Sequence, residues 1–515
     1  MGVGKETMKK VFLTKASLFM AALFCFTTVI PTAAQVLYPA DKAAMVNPDA
    51  QLKLTFKETP TIGKSGKIRI YDAADDRLVD TLDMSIPAGP TKPVDPAVRA
   101  KDYLKFPYPY DRTSRPTNRD TKPGTGSAGA IPTSATEYQL TIIGGFTDGF
   151  HFYPITVDGN TATIHPHHDM LEYGKTYYVQ IDSGVLDGFA GIGGKSWRFS
   201  TKPKAPNASV TKFTVAADGT GDFNTVQGAM DFVPDHSKKR ITITVRNGIY
   251  EEIVYFRNKD NVTLVGESQD KTIVRYANNE VLNPHPANIR TNPEPGTFPS
   301  RRAAIAVDNS NDIHILNMTL QTTIKGQAEG LLITGDRNIL SHVTVIGSGD
   351  ALQANGRIYM VDSTIVGDGD TILGRGTLFC ERCTIRSNSV FMWPRNPKDV
   401  HGNVFKDSTF IGTREPTTIA RSPKNGDATY PFAEVVLLNT QLTNIAPEGW
   451  NDADKGGNVR FWEYNSHTGN GSPIDTSKRV AWSRQLDTIK DAKLISDYGR
   501  PEFVLAGWKP KLEER

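Results

Sequence analysis

Cysteine is scarce: three occur in 515 residues, at positions 25, 380 and 383. That count excludes a disulfide-stapled scaffold and a four-thiolate metal centre. An excess of one charge is missing too. The chain carries 59 Lys and Arg against 56 Asp and Glu, a net of +3, too little to point to nucleic acid. Beyond residue 30 no apolar run is long enough to cross a membrane as a helix. The single apolar run, residues 16–30, follows Lys9 and Lys10 and precedes Thr32, Ala33 and Ala34. That is the layout of a cleaved export leader, so residues 1–34 are read as a signal peptide. Cys25 lies inside the leader after bulky Phe24, which does not fit a lipid-attachment site. A secreted protein is expected, in the periplasm, at the cell surface or fully released.

What the chain does have is turn formers, 44 Gly and 32 Pro, which fit a mostly β protein. Its length implies more than one domain. Alternating segments at 51–56, 67–71, 138–142, 176–181 and 197–200 read as half-buried antiparallel strands. They predict a small β-sandwich over residues 36–204, interrupted by a Pro- and Gly-rich loop at 87–132 and similar to bacterial Ig-like modules. The unit shows no catalytic cluster and is read as a spacer rather than a carbohydrate binder. Residues 202–207 read as its linker.

From residue 208 to the end a repeat takes over. Asn317-Met318-Thr319-Leu320, His342-Val343-Thr344-Val345, Asp362-Ser363-Thr364-Ile365, Arg382-Cys383-Thr384-Ile385 and Asp407-Ser408-Thr409-Phe410 share one pattern. Their threonines are spaced by 25, 20, 20 and 25 residues, and a less regular member follows at 439–442. This period with short β-branched strands and no helices predicts an all-β solenoid, a right-handed parallel β-helix with one coil per step. Cys380 and Cys383 fall in a strand-like stretch, are expected to face opposite sides, and read as buried free thiols.

The repeat also makes a chemical statement. Asp350 stands six residues after Thr344 and Asp370 six after Thr364. Stacked coils then place two carboxylates about one strand spacing apart. Neighbouring carboxylates repel, so one tends to hold a proton while the other stays charged. Such a pair suits an acid and a nucleophile, although Asp beside Gly349, Gly367 and Gly369 also suits plain turns.

Residues 215–510 resemble the pectinesterase (pectin methylesterase) family. The resemblance rests on the order of several motifs: residues 215–223 with Val226-Gln227, Gly248-Ile249-Tyr250-Glu251-Glu252, Gln327-Ala328, Asp350-Ala351-Leu352, Asp370-Thr371-Ile372-Leu373-Gly374, Arg421, and Glu463-Tyr464 with Thr468-Gly469. It implies a carbohydrate esterase that removes methyl esters from galacturonate residues of pectin (homogalacturonan), with no metal or organic cofactor. Carried over, Asp370 is the nucleophile and Asp350 the acid, then base. Arg421 keeps Asp370 charged and oriented, and Gln327 donates to the oxyanion.

The departures are specific. Gly349 replaces an expected glutamine, so Gly349→Gln is expected to leave activity unchanged or raise it. Gln353, Thr371, Leu373 and Pro423 replace expected aromatics. Trp393, Trp450 and Gln353 are the candidate substrate contacts in their place. Alternative readings are a pectate lyase or polygalacturonase on the same scaffold, for which Asp362, Asp368 and Asp370 offer a candidate calcium cluster, and a non-catalytic pectin-binding β-helix. A monomer is expected.

Overall fold

The computed structural model describes residues 34–93, 138–143, 149–284, 300–421, 424–425, 428–451 and 458–512. The leader, most of the Pro- and Gly-rich stretch and Pro423 lie outside them. No helix among the described residues is long and apolar enough to cross a membrane.

The first part folds as two main sheets and a two-stranded antiparallel pair, Leu140–Ile142 with Gly149–His151. Strands Val36–Tyr38, Leu52–Thr55, Thr161–Ile164 and Ile155–Asp158 form one. Ala43–Val46, Arg198–Thr201, Thr176–Ile181, Lys67–Asp72 and Leu78–Asp83 form the other. Alternation drives the assembly. Along Lys67–Asp72 every second residue is buried, and Leu52, Leu54, Ile68, Ile70, Val179, Trp197 and Phe199 share one core. The pairings are antiparallel except that of Ala43–Val46 with Arg198–Thr201, which is parallel.

The second part is a parallel β-helix. A central coil contributes three short strands, for example Arg357–Val361, Thr364–Gly367 and Ile372–Gly374. The first two faces merge into a 17-stranded sheet and the third forms a 6-stranded one, from Val254–Arg257 to Met392–Pro394. The sequence period is met residue for residue. Thr319 pairs with Thr344, Thr344 with Thr364, Thr364 with Thr384 and Thr384 with Thr409. The irregular member joins the ladder through Gln441, opposite Thr409.

The first residue of each repeated phrase has a structural reason. Asn317, His342, Asp362, Arg382, Asp407 and Asn439 all have φ between 47° and 57°. One left-handed residue turns the chain from the first face to the second, a conformation that Asn and Asp tolerate best. The same corner corrects the reading of Cys380 and Cys383. Arg382 bends the chain between them, so both thiols are free and buried in the same core, with Cys383 Sγ donating to Met360 O and Glu381 O at 3.6 Å. An unbroken strand would have set them on opposite sides.

Two sequence motifs explain each other at the first coils. Glu252 accepts hydrogen bonds from the backbone N–H groups of Val226 and Gln227 at 2.8 and 2.9 Å. These open the helix Val226–Phe232, whose first N–H groups have no partner within the helix. Burial pushes the Glu252 carboxyl up to about 7. Gln227 in turn exchanges two hydrogen bonds with the backbone of Tyr255.

The two parts meet over polar contacts. Asp49 Oδ2 accepts from Asn224 N, Thr225 N and Thr225 Oγ1 at 2.8–2.9 Å. His168 Nε2 lies 3.1 Å from Asp169 and 2.5 Å from Asp231, which sits on the helix Val226–Phe232.

Candidate active site

The 6-stranded face sets the geometry. Leu352 pairs with Ile372, so Asp350 and Asp370, each two residues earlier, stand on adjacent coils. Asp370 has φ 41°, a left-handed backbone that a non-glycine residue rarely adopts and that marks a constrained site. Its Oδ2 accepts from Arg421 at 2.7 Å. Its Oδ1 is buried with no hydrogen-bond partner. Arg421 stands two coils further on, where its N–H donates to Met392 O. To reach Asp370 its guanidinium passes over Trp393, 4.5 Å from the ring centroid. The cation–π contact and the ion pair thus fix one side chain together.

Asp350 lies deeper, with a side chain 9% exposed. Burial, opposed by Arg302 and reinforced by Glu329 and Asp370, pushes its carboxyl up to about 7. The two aspartates thus differ in surroundings: Asp350 is buried against Arg302, and Asp370 is paired with Arg421 through one oxygen.

Arg302 is the residue that sequence reasoning missed. Its guanidinium donates to both oxygens of Glu329 at 2.7–2.9 Å, to Gln327 Oε1 at 2.9 Å and to Asp350 Oδ2 at 2.5 Å. An arginine has no acceptor, so Gln327 must turn its oxygen to Arg302 and its NH2 the other way. Arg302 holds the acid and orients the amide at once. It belongs to none of the repeated phrases, and its only signal was its place just before a coil strand.

The remaining candidates separate. Register puts Gln353, Leu373 and Trp393 in one row on the face opposite the core-facing Leu352, Ile372 and Met392. Gln353 and Trp393 thus share a surface and are both half-buried. Trp450 does not join them. It is 0% exposed and packs on Phe461 with ring centroids 5.0 Å apart, so it has no face to offer a sugar. The proposed calcium cluster is dispersed as well. Asp362 pairs with Arg382, Asp368 with Lys325 and Asp370 with Arg421.

Gly349 has φ 66°, and a Cβ built there would stand 3.1 Å from Gly326 O. Its N–H donates to Asp368. The geometry argues against the expectation for Gly349→Gln, because this backbone conformation is one that glycine accepts and glutamine resists.

A family model described as pectinesterase matches residues 212–507. The chain belongs to the pectinesterase family. Similar curated proteins include probable pectinesterase 30 of Arabidopsis thaliana, 29% identical over 59% of this chain and 62% of that protein. A pectinesterase/pectinesterase inhibitor of Ficus pumila var. awkeotsang is 27% identical over 52% of this chain and 50% of its own length. The chain thus spans less than two thirds of these relatives. Among solved structures, a pectin methylesterase from carrot covers 59% of this chain and 95% of its own, at 22% identity and a TM-score of 0.49. The pectinesterase match covers the β-helix and leaves the N-terminal sheets outside it.

Proposed function

We propose that the chain hydrolyses methyl esters of galacturonate residues in pectin through an aspartyl acyl-enzyme. The observation that carries this reading is Asp370, with one carboxylate oxygen tied to Arg421 and the other buried without a partner, next to Asp350, whose carboxyl burial pushes up to about 7. Asp370 Oδ1 attacks the ester carbonyl, and the C–OCH3 bond breaks to leave an anhydride. Asp350 gives its proton to the departing methoxide, which leaves as methanol. Asp350 then takes a proton from water as that water attacks the anhydride. This frees the galacturonate and restores Asp350 as the acid and Asp370 as the carboxylate. The Gln327 amide donates to the oxyanion in both steps, a kind of contact worth about 3 kcal/mol.

Export through the leader would bring the enzyme to its polymer. Residues 36–204 serve as a spacer packed on the first coils. The test is to incubate the protein with highly methylated pectin and follow methanol, ultraviolet absorbance and reducing ends together. Methanol alone is expected. Absorbance from unsaturated ends would mean a lyase, new reducing ends without absorbance a polygalacturonase, and no product a binder.

A further inference from the structure

The junction of the two parts gathers three side chains with metal-ligand chemistry and no role in the reaction. His168 and Asp169 lie between the strands Thr161–Ile164 and Thr176–Ile181, and Asp231 is on the helix Val226–Phe232. One ligand atom from each stands within 4.8 Å of the other two. His168 Nε2 is the hub, 3.1 Å from Asp169 Oδ2 and 2.5 Å from Asp231 Oδ2. Donors about 2.0–2.2 Å from a tetrahedral zinc ion stand about 3.3 Å from one another. His168 Nε2 is already near that spacing from Asp169 and short of it by under about 1 Å from Asp231. Outer partners fix the orientation. Asp231 Oδ1 accepts from Gln227 Nε2 at 2.9 Å, which leaves Oδ2 turned to His168. The backbone N–H of His168 donates to Thr141 Oγ1 at 2.9 Å. Such second contacts hold metal ligands in place. The side chains of His168 and Asp169 each stay 16% exposed, so an ion can reach them.

A second observation points to a ligand. His168 and Asp169 line a cavity of about 110 Å³ whose walls include Asp49, Gln227 and Glu252. Asp49 Oδ2 takes three donors, but its Oδ1 is buried with none. A buried carboxylate oxygen without a donor is destabilising. A water carried by a bound ion supplies that donor. Charge points the same way. Four carboxyls, of Asp49, Asp169, Asp231 and Glu252, surround one histidine, and burial pushes those of Asp49, Asp231 and Glu252 up. Lys259, the other cation acting on Asp231, is bound to Asp235. We propose that His168, Asp169 and Asp231 bind a divalent transition-metal ion of the zinc class, with a water towards Asp49 as fourth ligand, and that this ion clamps the N-terminal sheets to the first coil. An imidazole ligand favours zinc over calcium or magnesium, which prefer oxygen alone. With no ion bound, a proton on His168 joins the same two carboxylates. The ion takes its place, and that proton passes to solvent.

The test uses the tag-free chain, stripped of metal with a chelator and returned to plain buffer. Zinc binding is measured by calorimetry for the wild type, His168→Gln and Asp231→Asn. Thermal melting without zinc checks the fold of each variant. One zinc per chain is expected, with a Kd of about 1 μM or tighter, and no response to calcium or magnesium. Each substitution is expected to weaken binding at least about a hundredfold. Zinc at about a hundred times its Kd is expected to raise the wild-type melting temperature by at least about 2 °C and to leave both variants unmoved. A cobalt titration of the wild type decides the matter even where a variant fails to fold. Visible bands of a four-coordinate cobalt site, abolished by zinc, are expected. No zinc binding, zinc binding that survives both substitutions, or a cobalt spectrum no different from that of the free hydrated ion would overturn the proposal.

Discussion

Arg302 donates to Asp350 and to Gln327 with the same guanidinium, at 2.5 and 2.9 Å. One side chain thereby sets the amide on the next coil and the acid on the coil after that, and Glu329 anchors it. Removing the arginine would strand Glu329 and Asp350 as buried carboxyls without their cation. Arg302→Met is expected to cost about 3–5 kcal/mol, read as a shift in the urea unfolding midpoint. A change below 1 kcal/mol would mean that water satisfies this network.

Asp350 should set the alkaline limb of the pH profile. Its carboxyl is raised to about 7, so the protonated form needed for methanol departure dominates below that value and is lost above it. kcat/KM for methanol release, corrected for spontaneous hydrolysis, is expected to decline as pH rises through about 7. A profile still flat at about pH 9 would assign the proton to another group.

The junction of the two parts should respond to pH with its own sign. His168 faces Asp169 and Asp231, and these carboxylates hold its pKa well above the usual histidine value despite burial. A group whose folded pKa is raised stabilises fully below its unfolded value, near 6.5, and loses that effect as pH climbs through the folded value. While both aspartates stay charged, His168→Gln should lower the melting temperature most in mildly acidic solution. The difference should close towards alkaline pH. An equal difference at every pH would leave only packing to explain it.

Gly349→Gln is expected to lose about 1–2 kcal/mol, the usual penalty for an ordinary residue in a left-handed backbone. It should gain no activity. A variant that melts with the wild type and releases methanol faster would show that the loop relaxes to accept the side chain.

Much of this site is legible in the sequence. The threonine spacing alone ranked Asp350 and Asp370 on adjacent coils, because a parallel β-helix turns sequence period directly into spatial register. The separation of Cys380 from Cys383 was misread because one left-handed residue, Arg382, reverses the alternation that a strand would keep. Trp450 looked available because aromatic identity says nothing about exposure, and a core contact with Phe461 uses it instead. Arg302 was invisible for a different reason. Its partners, Gln327, Glu329 and Asp350, lie 25, 27 and 48 residues away, on later coils, and no repeated phrase contains it.

The division of labour between two stacked carboxylates is tested most directly by Asp370→Asn. The amide keeps the shape of the carboxylate and cannot form the anhydride. The folded variant, with a wild-type melting profile, is expected to release methanol from methylated pectin at least about a thousandfold more slowly. Methanol release near the wild-type rate from that folded variant would contradict the account.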